Sequence, residues 1–120
     1  PMKKLKIGQI GIGHNHGAAK METVRKFPDI FEVIGVAEPD SLWLEKRKNL
    51  PAYQGLPFLT TEELLSTPGL DALLIETDVK DLMHYARIAV DRGFPIHMDK
   101  PGGENYGEFR ELINAARKKI

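Results

Sequence analysis

Short apolar runs alternate with amphipathic segments along the whole chain. Runs of mostly apolar, often β-branched residues predict five strands, at residues 5–12, 31–37, 56–59, 71–76 and 95–98. Apolar residues at helical spacing predict helices at residues 15–27, 42–48, 62–66, 80–92 and 109–120. The run at residues 71–76 is almost uninterrupted, which is typical of a strand that is covered on both faces.

The predicted helices carry residues that commonly begin or end a helix. Pro28 closes the first helix, and Gly93 closes the fourth. Ser41 is the expected N-cap of the second helix, and either Thr60 or Thr61 is that of the third. The faces expected to be buried consist of Ala18, Met21, Val24 and Phe27 in the first helix and Leu82, Ala86, Ala89 and Val90 in the fourth.

The regular alternation of strand and helix indicates βαβ units with right-handed crossovers, and therefore a parallel sheet. We predict an α/β fold, a doubly wound parallel sheet of about five strands with flanking helices, in a single domain over residues 1–120. No strand is predicted after the last helix, where one would normally complete such a sheet. We therefore expect an exposed sheet edge and weak self-association into a homo-oligomer.

A glycine-rich turn follows the first predicted strand. Gly11 and Gly13 match the first two positions of the Gly-x-Gly-x-x-Gly pattern, whereas His16 occupies the third and Gly17 comes one residue late. The first glycine permits a tight turn, and the second lets backbone N–H groups approach a pyrophosphate at the positive end of a helix. Gly17 could supply the close helix–strand packing of the third glycine. The turn predicts a Rossmann-like dinucleotide site; a glycine-rich turn without a ligand is the alternative.

Glu38 lies at the end of the second predicted strand, 21 residues beyond Gly17. A dinucleotide-binding fold places a carboxylate there to accept hydrogen bonds from the adenosine ribose. Because a carboxylate repels a 2′-phosphate, we expect NAD rather than NADP. An acid that merely ends a strand before Pro39 and Asp40 is the alternative.

The histidines suggest two roles. His14 and His16 flank Asn15 in the turn, where ring or amide N–H groups could reach the pyrophosphate or the nicotinamide side. A metal site would use these two histidines with His84 and His97. No carboxylate lies at ligand spacing beside them, so we predict no metal. We expect His97, within the fifth strand, to be a hydrogen-bonded core residue.

The tripeptide Asp99-Lys100-Pro101 ends the fifth predicted strand, and ligands bind at the carboxyl ends of parallel strands. Pro101 favours an extended backbone at Lys100, which keeps that side chain out of a helix. A lysine there, partly desolvated by a nicotinamide ring, could donate a proton or a hydrogen bond to a substrate oxygen. A solvated loop lysine is the alternative.

Composition narrows the choice of partners. Seventeen basic and seventeen acidic residues give no net charge, so no strong field attracts nucleic acid or an anionic membrane. The absence of cysteine excludes disulfides and thiolate metal sites and fits a reducing compartment, which predicts a cytoplasmic protein. Glycines interrupt the apolar stretch after Lys3 and Lys4, so we expect no signal peptide, and no apolar run reaches the length of a membrane span.

These motifs resemble the amino-terminal domain of the glucose–fructose oxidoreductase / inositol dehydrogenase / rhizopine-catabolism (Gfo/Idh/MocA) family. The resemblance covers essentially the whole chain. Its motifs are Gly11-x-Gly13, Ala37-Glu38-Pro39-Asp40, the strand at residues 71–77, His84-x-Ala-x-x-Ala, and the segment from Gly93 to Asp99-Lys100-Pro101. The last is the most specific, because the family's usual Glu-Lys-Pro follows a short strand after a helix-ending glycine.

The resemblance implies an NAD(P)-dependent oxidoreductase, a dehydrogenase acting on the CH–OH group of a sugar, polyol or related hydroxy compound. It implies that Lys100 is the catalytic lysine beside nicotinamide and substrate, and that Thr77 and Asp78 line the cofactor cleft. The expected cofactor-binding residues are Gly11, Ile12, Gly13, His14, Asn15, Glu38, Thr77, Asp78, Asp99 and Lys100.

The chain departs from the family pattern in sequence and in length. Asp99 replaces the commoner glutamate, and residues 76–79 lack the usual Thr-Pro-Asn-His run. Family members also carry a second domain, which supplies a catalytic histidine–aspartate pair and most of the substrate pocket. We therefore expect a cofactor-binding fragment of a longer enzyme, without a carboxy-terminal substrate domain and inactive by itself.

Two other functions stay open at this point. A non-catalytic sensor or regulatory module could bind a dinucleotide with the same residues. An S-adenosylmethionine methyltransferase also has a glycine turn and an acid after its second strand. Such enzymes usually carry an acidic residue where this chain has Gln9, and they have no role for the Asp-Lys-Pro tripeptide.

Overall fold

The computed structural model describes residues 3–98. Its elements, in chain order, are β1 (Leu5–Ile10), α1 (Gly17–Arg25), β2 (Phe31–Ala37), α2 (Ser41–Arg47), a one-turn 3-10 helix (Pro51–Tyr53), α3 (Thr61–Leu65), β3 (Ala72–Ile75), α4 (Val79–Asp91) and β4 (Ile96–Met98). None of the helices in this part of the chain is long and apolar enough to cross a bilayer. The helix predicted at residues 109–120 lies outside the described residues.

Within residues 3–98, four strands form one parallel sheet in the order β2-β1-β3-β4. β1 lies in the interior of the sheet, hydrogen-bonded to β2 on one side and to β3 on the other. The chain therefore crosses from one side of β1 to the other between β2 and β3, which is the topology of a Rossmann-like fold.

Helices cover both faces of this sheet. Leu73 of β3 packs in one apolar cluster with Leu64 of α3 and Leu82 of α4. Its neighbour Leu74 packs in a second cluster with Val24 of α1. Successive side chains of a strand point to opposite faces, and both leucines of β3 are fully buried. The predicted α/β fold with a doubly wound parallel sheet is confirmed.

The third predicted strand, at residues 56–59, is reduced to a single parallel bridge between Phe58 and Val36 of β2. The N–H of Val36 donates to the carbonyl of Pro57 at 3.0 Å, and the N–H of Leu59 donates to the carbonyl of Val36 at 2.8 Å. This segment therefore occupies the position of a fifth strand beside β2. Pro57 has no N–H to donate to a longer ladder, which keeps the pairing short.

The N-cap of α2 is Asp40, not Ser41 as predicted. Asp40 has an extended backbone, and its carboxylate accepts a hydrogen bond from the N–H of Leu42 at 2.9 Å. Ser41 is instead the first residue of the helix. The carboxylate satisfies a first-turn donor that would otherwise lack a partner, so the helix begins one residue earlier than predicted.

Of the two candidate threonines, Thr60 and not Thr61 is the N-cap of α3. Its hydroxyl oxygen accepts a hydrogen bond from the N–H of Glu63 at 3.1 Å, and the Glu63 carboxylate accepts one from the N–H of Thr60 at 2.8 Å. This reciprocal pair is a capping box. Thr61 is the first residue of the helix.

Two residues that were predicted to be buried on helices are largely exposed. Phe27 is 48% exposed, because α1 ends at Arg25 and Phe27 no longer follows its apolar face. Val90 is 53% exposed. It lies about 80° around the helix from Leu82, at the margin of the buried face. The other predicted positions that are buried are Met21, Val24, Leu82, Ala86 and Ala89.

Candidate cofactor site

The carboxyl ends of β1, β2 and β3 meet at one edge of the sheet. Because the strand order reverses beside β1, a crevice that can bind a ligand is expected at this edge. The turn at residues 11–16 follows β1, Glu38 follows β2, and Thr77 and Asp78 follow β3. The fold thus brings together all the predicted site residues that lie within residues 3–98.

Gly11 makes the turn out of β1. Its φ of +98° lies in the region that favours glycine. A Cβ at this position would overlap backbone atoms of Glu76 and Thr77. The N–H of Gly11 donates to the carbonyl of Ala37 at 2.6 Å. The turn is therefore held tightly between the ends of β2 and β3, where only glycine fits.

Glu38 links the end of β2 to the turn. Its Oε1 accepts a hydrogen bond from the N–H of Ile12 at 2.7 Å, and its Oε2 accepts one from the N–H of Asp40 at 2.8 Å. Burial raises the pKa of this carboxyl group above 4.5, although these backbone hydrogen bonds oppose the rise. Each carboxylate oxygen has a second lone pair, so Glu38 can also accept hydrogen bonds from hydroxyl groups of a ligand.

Gly13 and Gly17 allow two further close approaches. A Cβ at Gly13 would lie 3.0 Å from Cδ1 of Trp43 and 3.1 Å from the backbone nitrogen of Asp78. A Cβ at Gly17, the buried first residue of α1, would lie 3.2 Å from Cβ of Glu76. Gly17 therefore provides the close helix–strand packing expected of a third glycine, despite its late position.

The amino end of α1 presents backbone donors. No side chain caps this end of the helix in the described part of the chain. Among residues 3–98, the N–H groups of Ala18 and Ala19 make no hydrogen bond. The N–H groups of a first helical turn have no partner within the helix. Together with the helix dipole, they favour binding of an anion here.

His14 and His16 contact each other in the turn. Nδ1 of His14 accepts a hydrogen bond from the N–H of His16 at 3.1 Å, and the two rings meet edge to face with their centroids 5.3 Å apart. The N–H of His14 donates to the carbonyl of Glu76 at 2.9 Å. Since Nδ1 is an acceptor, a neutral His14 ring carries its proton on Nε2. Asn15 lies between the histidines and is exposed.

Thr77 and Asp78 follow β3 at the same edge of the sheet. Thr77 is 1% exposed, and its hydroxyl oxygen has no hydrogen-bond partner within residues 3–98. Asp78 precedes α4, where its side chain makes no cap hydrogen bond to the helix. Its Oδ2 instead accepts a hydrogen bond from Nε1 of Trp43 at 3.2 Å. The Thr77 hydroxyl is thus a buried polar group without a hydrogen-bond partner in the described part of the chain.

A buried polar cluster supports the turn, and sequence analysis did not identify it. Nε2 of Gln9 donates to the carbonyl of Gly11 at 2.9 Å and to the hydroxyl of Tyr53 at 3.2 Å. Nζ of Lys20 lies 3.2 Å from Oε2 of Glu76, whose side chain is fully buried. Burial is the main cause that raises the pKa of Tyr53 to about 12. These residues are far apart in sequence, so no local motif marks them.

Trp43 and Arg47 were also missed. The Arg47 guanidinium carbon lies 4.4 Å from the centroid of the Trp43 ring. Nη1 of Arg47 donates to the carbonyl of Ile12 at 3.2 Å, so the stacked pair joins α2 to the turn. Their spacing of four residues places both on one face of a helix, but spacing alone cannot identify which face meets the turn.

Asp99 and Lys100, predicted to bind the cofactor and in the case of Lys100 to act in catalysis, lie outside the described residues. His97 of β4 is 3% exposed and therefore belongs to the core, as predicted. Within the described ranges, no group of three or more acidic or histidine side chains is arranged to hold a metal ion.

No family model and no curated protein sequence matches this chain. Solved structures do match. UDP-N-acetylglucosamine 3-dehydrogenase GnnA from Acidithiobacillus ferrooxidans is 24% identical, with a TM-score of 0.61 over 98% of this chain and 36% of that one. The WlbA dehydrogenase from Bordetella pertussis, in complex with NADH and UDP-GlcNAcA, is 18% identical. The match has a TM-score of 0.64 and covers 98% of this chain and 35% of that one.

An NAD-binding protein from Listeria innocua is similar as well, at 24% identity and a TM-score of 0.65 over 98% of this chain and 33% of that one. The chain thus spans about a third of the length of each of these proteins. At 18–24% identity, these structures establish the fold of this chain alone.

Proposed function

We propose that this chain is the nicotinamide-dinucleotide-binding domain of an NAD(P)-dependent oxidoreductase of the Gfo/Idh/MocA type. One observation carries the proposal: the Glu38 carboxylate accepts a hydrogen bond from Ile12 of the glycine turn at 2.7 Å. This contact joins the two predicted parts of the dinucleotide motif at the point where the strand order reverses. Structural likeness to dehydrogenases, one of them bound to NADH, supports the proposal.

The residues at the crevice fit such a cofactor. The N–H groups of Ala18 and Ala19, at the amino end of α1, would bind the pyrophosphate. Glu38 would accept hydrogen bonds from the ribose hydroxyls. The buried Thr77 hydroxyl, which has no partner within residues 3–98, would bond to the nicotinamide half. When bound, the nicotinamide supplies or accepts the hydride.

We infer a preference for NAD over NADP. The Glu38 carboxylate is fixed by the N–H groups of Ile12 and Asp40, and both bonds favour its charged form. A fixed negative charge beside the ribose disfavours a 2′-phosphate through like-charge repulsion. NADP is therefore expected to bind more weakly.

For the whole enzyme, we propose oxidation or reduction at the CH–OH group of a sugar, polyol or related hydroxy compound. The Bordetella pertussis neighbour was solved with UDP-GlcNAcA, which supports a sugar-like substrate. Lys100 is proposed to donate a proton or hydrogen bond to the substrate oxygen. The isolated chain is proposed to bind cofactor without turnover. A cytoplasmic location and weak self-association remain predictions.

Calorimetric titration of the 120-residue chain with NAD, and separately with NADP, tests the proposal. We expect NAD to bind and NADP to bind more weakly. Absence of binding by both would overturn the proposed function, whereas tighter binding of NADP would overturn only the preference. Turnover of NAD with a panel of polyols would contradict the proposed inactivity of the isolated chain.

A further inference from the structure

The guanidinium group of Arg47 lies against three consecutive carbonyl groups of the glycine turn. Its Nη1 is 3.2 Å from the oxygen of Ile12, 3.4 Å from that of Gly13 and 3.2 Å from that of His14. Nη1 carries two hydrogens, so the three oxygens share them. An arginine side chain is always charged in proteins, and each of these hydrogen bonds is therefore charge-assisted.

These contacts fix the orientation of the peptide groups in the turn. In a planar trans peptide, the C=O and the N–H of the next residue point in opposite directions. Carbonyls directed at Arg47 therefore direct the following N–H groups away from it. The N–H of Gly13 faces the Glu38 carboxylate, and the N–H of His14 donates to the carbonyl of Glu76 at 2.9 Å. The N–H of Asn15 makes no hydrogen bond within residues 3–98. Arg47 thus holds the turn in a form that leaves the N–H of Asn15 for an anion.

Arg47 is itself held in place before any ligand binds. Its guanidinium stacks on the Trp43 ring, and the indole N–H of Trp43 is bonded to Asp78 across the crevice at 3.2 Å. Both side chains of the stacked pair are partly buried. The loss of side-chain entropy is therefore incurred on folding and not on binding, which favours affinity.

From this geometry we infer that Arg47 is a positioning residue for the pyrophosphate of the dinucleotide, a role that rests on the function proposed above. It acts through the turn in two ways. It fixes the peptide groups of the turn so that the N–H of Asn15 is left for the anion, and its charge offsets the partial negative charge of three carbonyl oxygens beside the site. The role concerns the phosphate groups and not the adenine ring.

Two ligands separate this role from a general structural one. ADP carries a pyrophosphate, and adenosine does not. Titration of the wild-type chain and the Arg47→Gln variant with both ligands, followed by calorimetry and by fluorescence of the single tryptophan, measures each affinity. We expect the variant to bind ADP at least about tenfold more weakly and adenosine within about twofold of wild type. Arg47→Lys keeps the charge and should restore part of the ADP affinity.

Arg25→Gln is the matched control. Arg25 also donates from Nη1 to a backbone carbonyl, that of Ala52 at 2.9 Å, but it does not contact the turn. We expect its affinities for both ligands to equal those of wild type. If Arg47→Gln lost equal affinity for ADP and adenosine, or lost none for either, the positioning role of Arg47 would be overturned. The proposed function would not be affected by that result. If the wild-type chain bound neither NAD nor ADP, the proposed function would fail and this inference with it.

If Arg47→Gln does not fold, as judged by circular dichroism, Arg47→Lys decides the question. A lysine ammonium cannot reach three carbonyls as the planar guanidinium does. We therefore expect a loss of ADP affinity that exceeds the loss of adenosine affinity. Wild-type affinity for ADP in Arg47→Lys would show that the fork of the guanidinium is not needed and would contradict the positioning role.

Discussion

Oε1 of Glu38 lies 2.7 Å from the backbone nitrogen of Ile12, which joins the end of β2 to the glycine turn after β1. The other oxygen of the same carboxylate accepts a hydrogen bond from the N–H of Asp40. One side chain therefore shapes the turn and presents a negative charge at the mouth of the crevice. Its removal should alter both the affinity for NAD and the choice between NAD and NADP.

Glu38→Ala is expected to weaken NAD binding about tenfold or more, because it removes a charged acceptor from the turn and from the ribose. The ratio of NADP to NAD affinity should rise, because the negative charge that repels the 2′-phosphate is lost. Calorimetric titration with each cofactor measures both effects. Glu45→Ala is the control, since Glu45 is an exposed residue of α2 whose partner is Lys48 at 3.1 Å. Equal NAD affinities in Glu38→Ala and wild type would contradict this prediction.

Gly11→Ala is expected to destabilise the chain strongly. Gly55→Ala is its matched control, because Gly55 also has a positive φ, of +79°, but a Cβ there would meet no atom within 4 Å. The free energy of unfolding of this control should fall by about 1–2 kcal/mol, from the unfavourable backbone conformation alone. Gly11→Ala should lose at least about 3 kcal/mol, because Glu76 and Thr77 would also have to move. Urea unfolding measures both values; equal losses would show that the close approach at Gly11 is unimportant.

Thr60→Ala should cost about 1 kcal/mol of stability, because it removes one half of the capping box at α3. Thr61→Ala changes the neighbouring threonine, which is the first residue of the helix and not its cap. We expect the free energy of unfolding of Thr61→Ala to stay within about 0.5 kcal/mol of wild type. Urea unfolding measures both free energies. If Thr61→Ala were the less stable of the two variants, the assignment of Thr60 as the cap would be wrong.

The buried Tyr53 predicts a loss of stability at alkaline pH. Its pKa in the folded chain is raised to about 12, chiefly by burial, from an ordinary value of 10.0. The unfolded chain therefore loses this proton first. The stabilising contribution is complete below pH 10 and is lost as the pH rises toward about 12. The difference in unfolding free energy between wild type and Tyr53→Phe should accordingly fall above pH 10, and parallel curves for the two proteins would contradict the prediction.

Much of the site was predictable because its signals are local. Gly11, Gly13 and Glu38 follow short apolar strands directly, and each has a conformational or chemical reason to be there. The contacts of Arg47 and Tyr53 were not predictable. Arg47 contacts a turn 33 to 35 residues away, and Tyr53 bonds to a residue 44 positions away. The periodicity of apolar residues within α2 or the short 3-10 helix gives no information about contacts between residues so far apart in sequence.

The pattern of apolar and polar residues also could not predict how the edge of the sheet pairs or which residues at the margin of a helix are exposed. Residues 56–59 are apolar enough for a strand, yet they pair with β2 through a single bridge, since pairing depends on the donors that Pro57 lacks. Val90 follows the helical period, but its exposure depends on how α4 is rotated against the sheet. Such features are set by neighbours in space.

The amino-acid sequence by itself determined the order of strands and helices, the parallel sheet, the glycine turn and the acid at the end of β2. These follow from side-chain periodicity and backbone restrictions that act within a few residues. Only the tertiary structure decided that Gly17 packs on Glu76, that Arg47 holds the carbonyls of the turn, and that Thr77 is buried beside it. Those relationships arise when separate elements pack together, because packing and hydrogen bonding depend on distances in space and not along the chain.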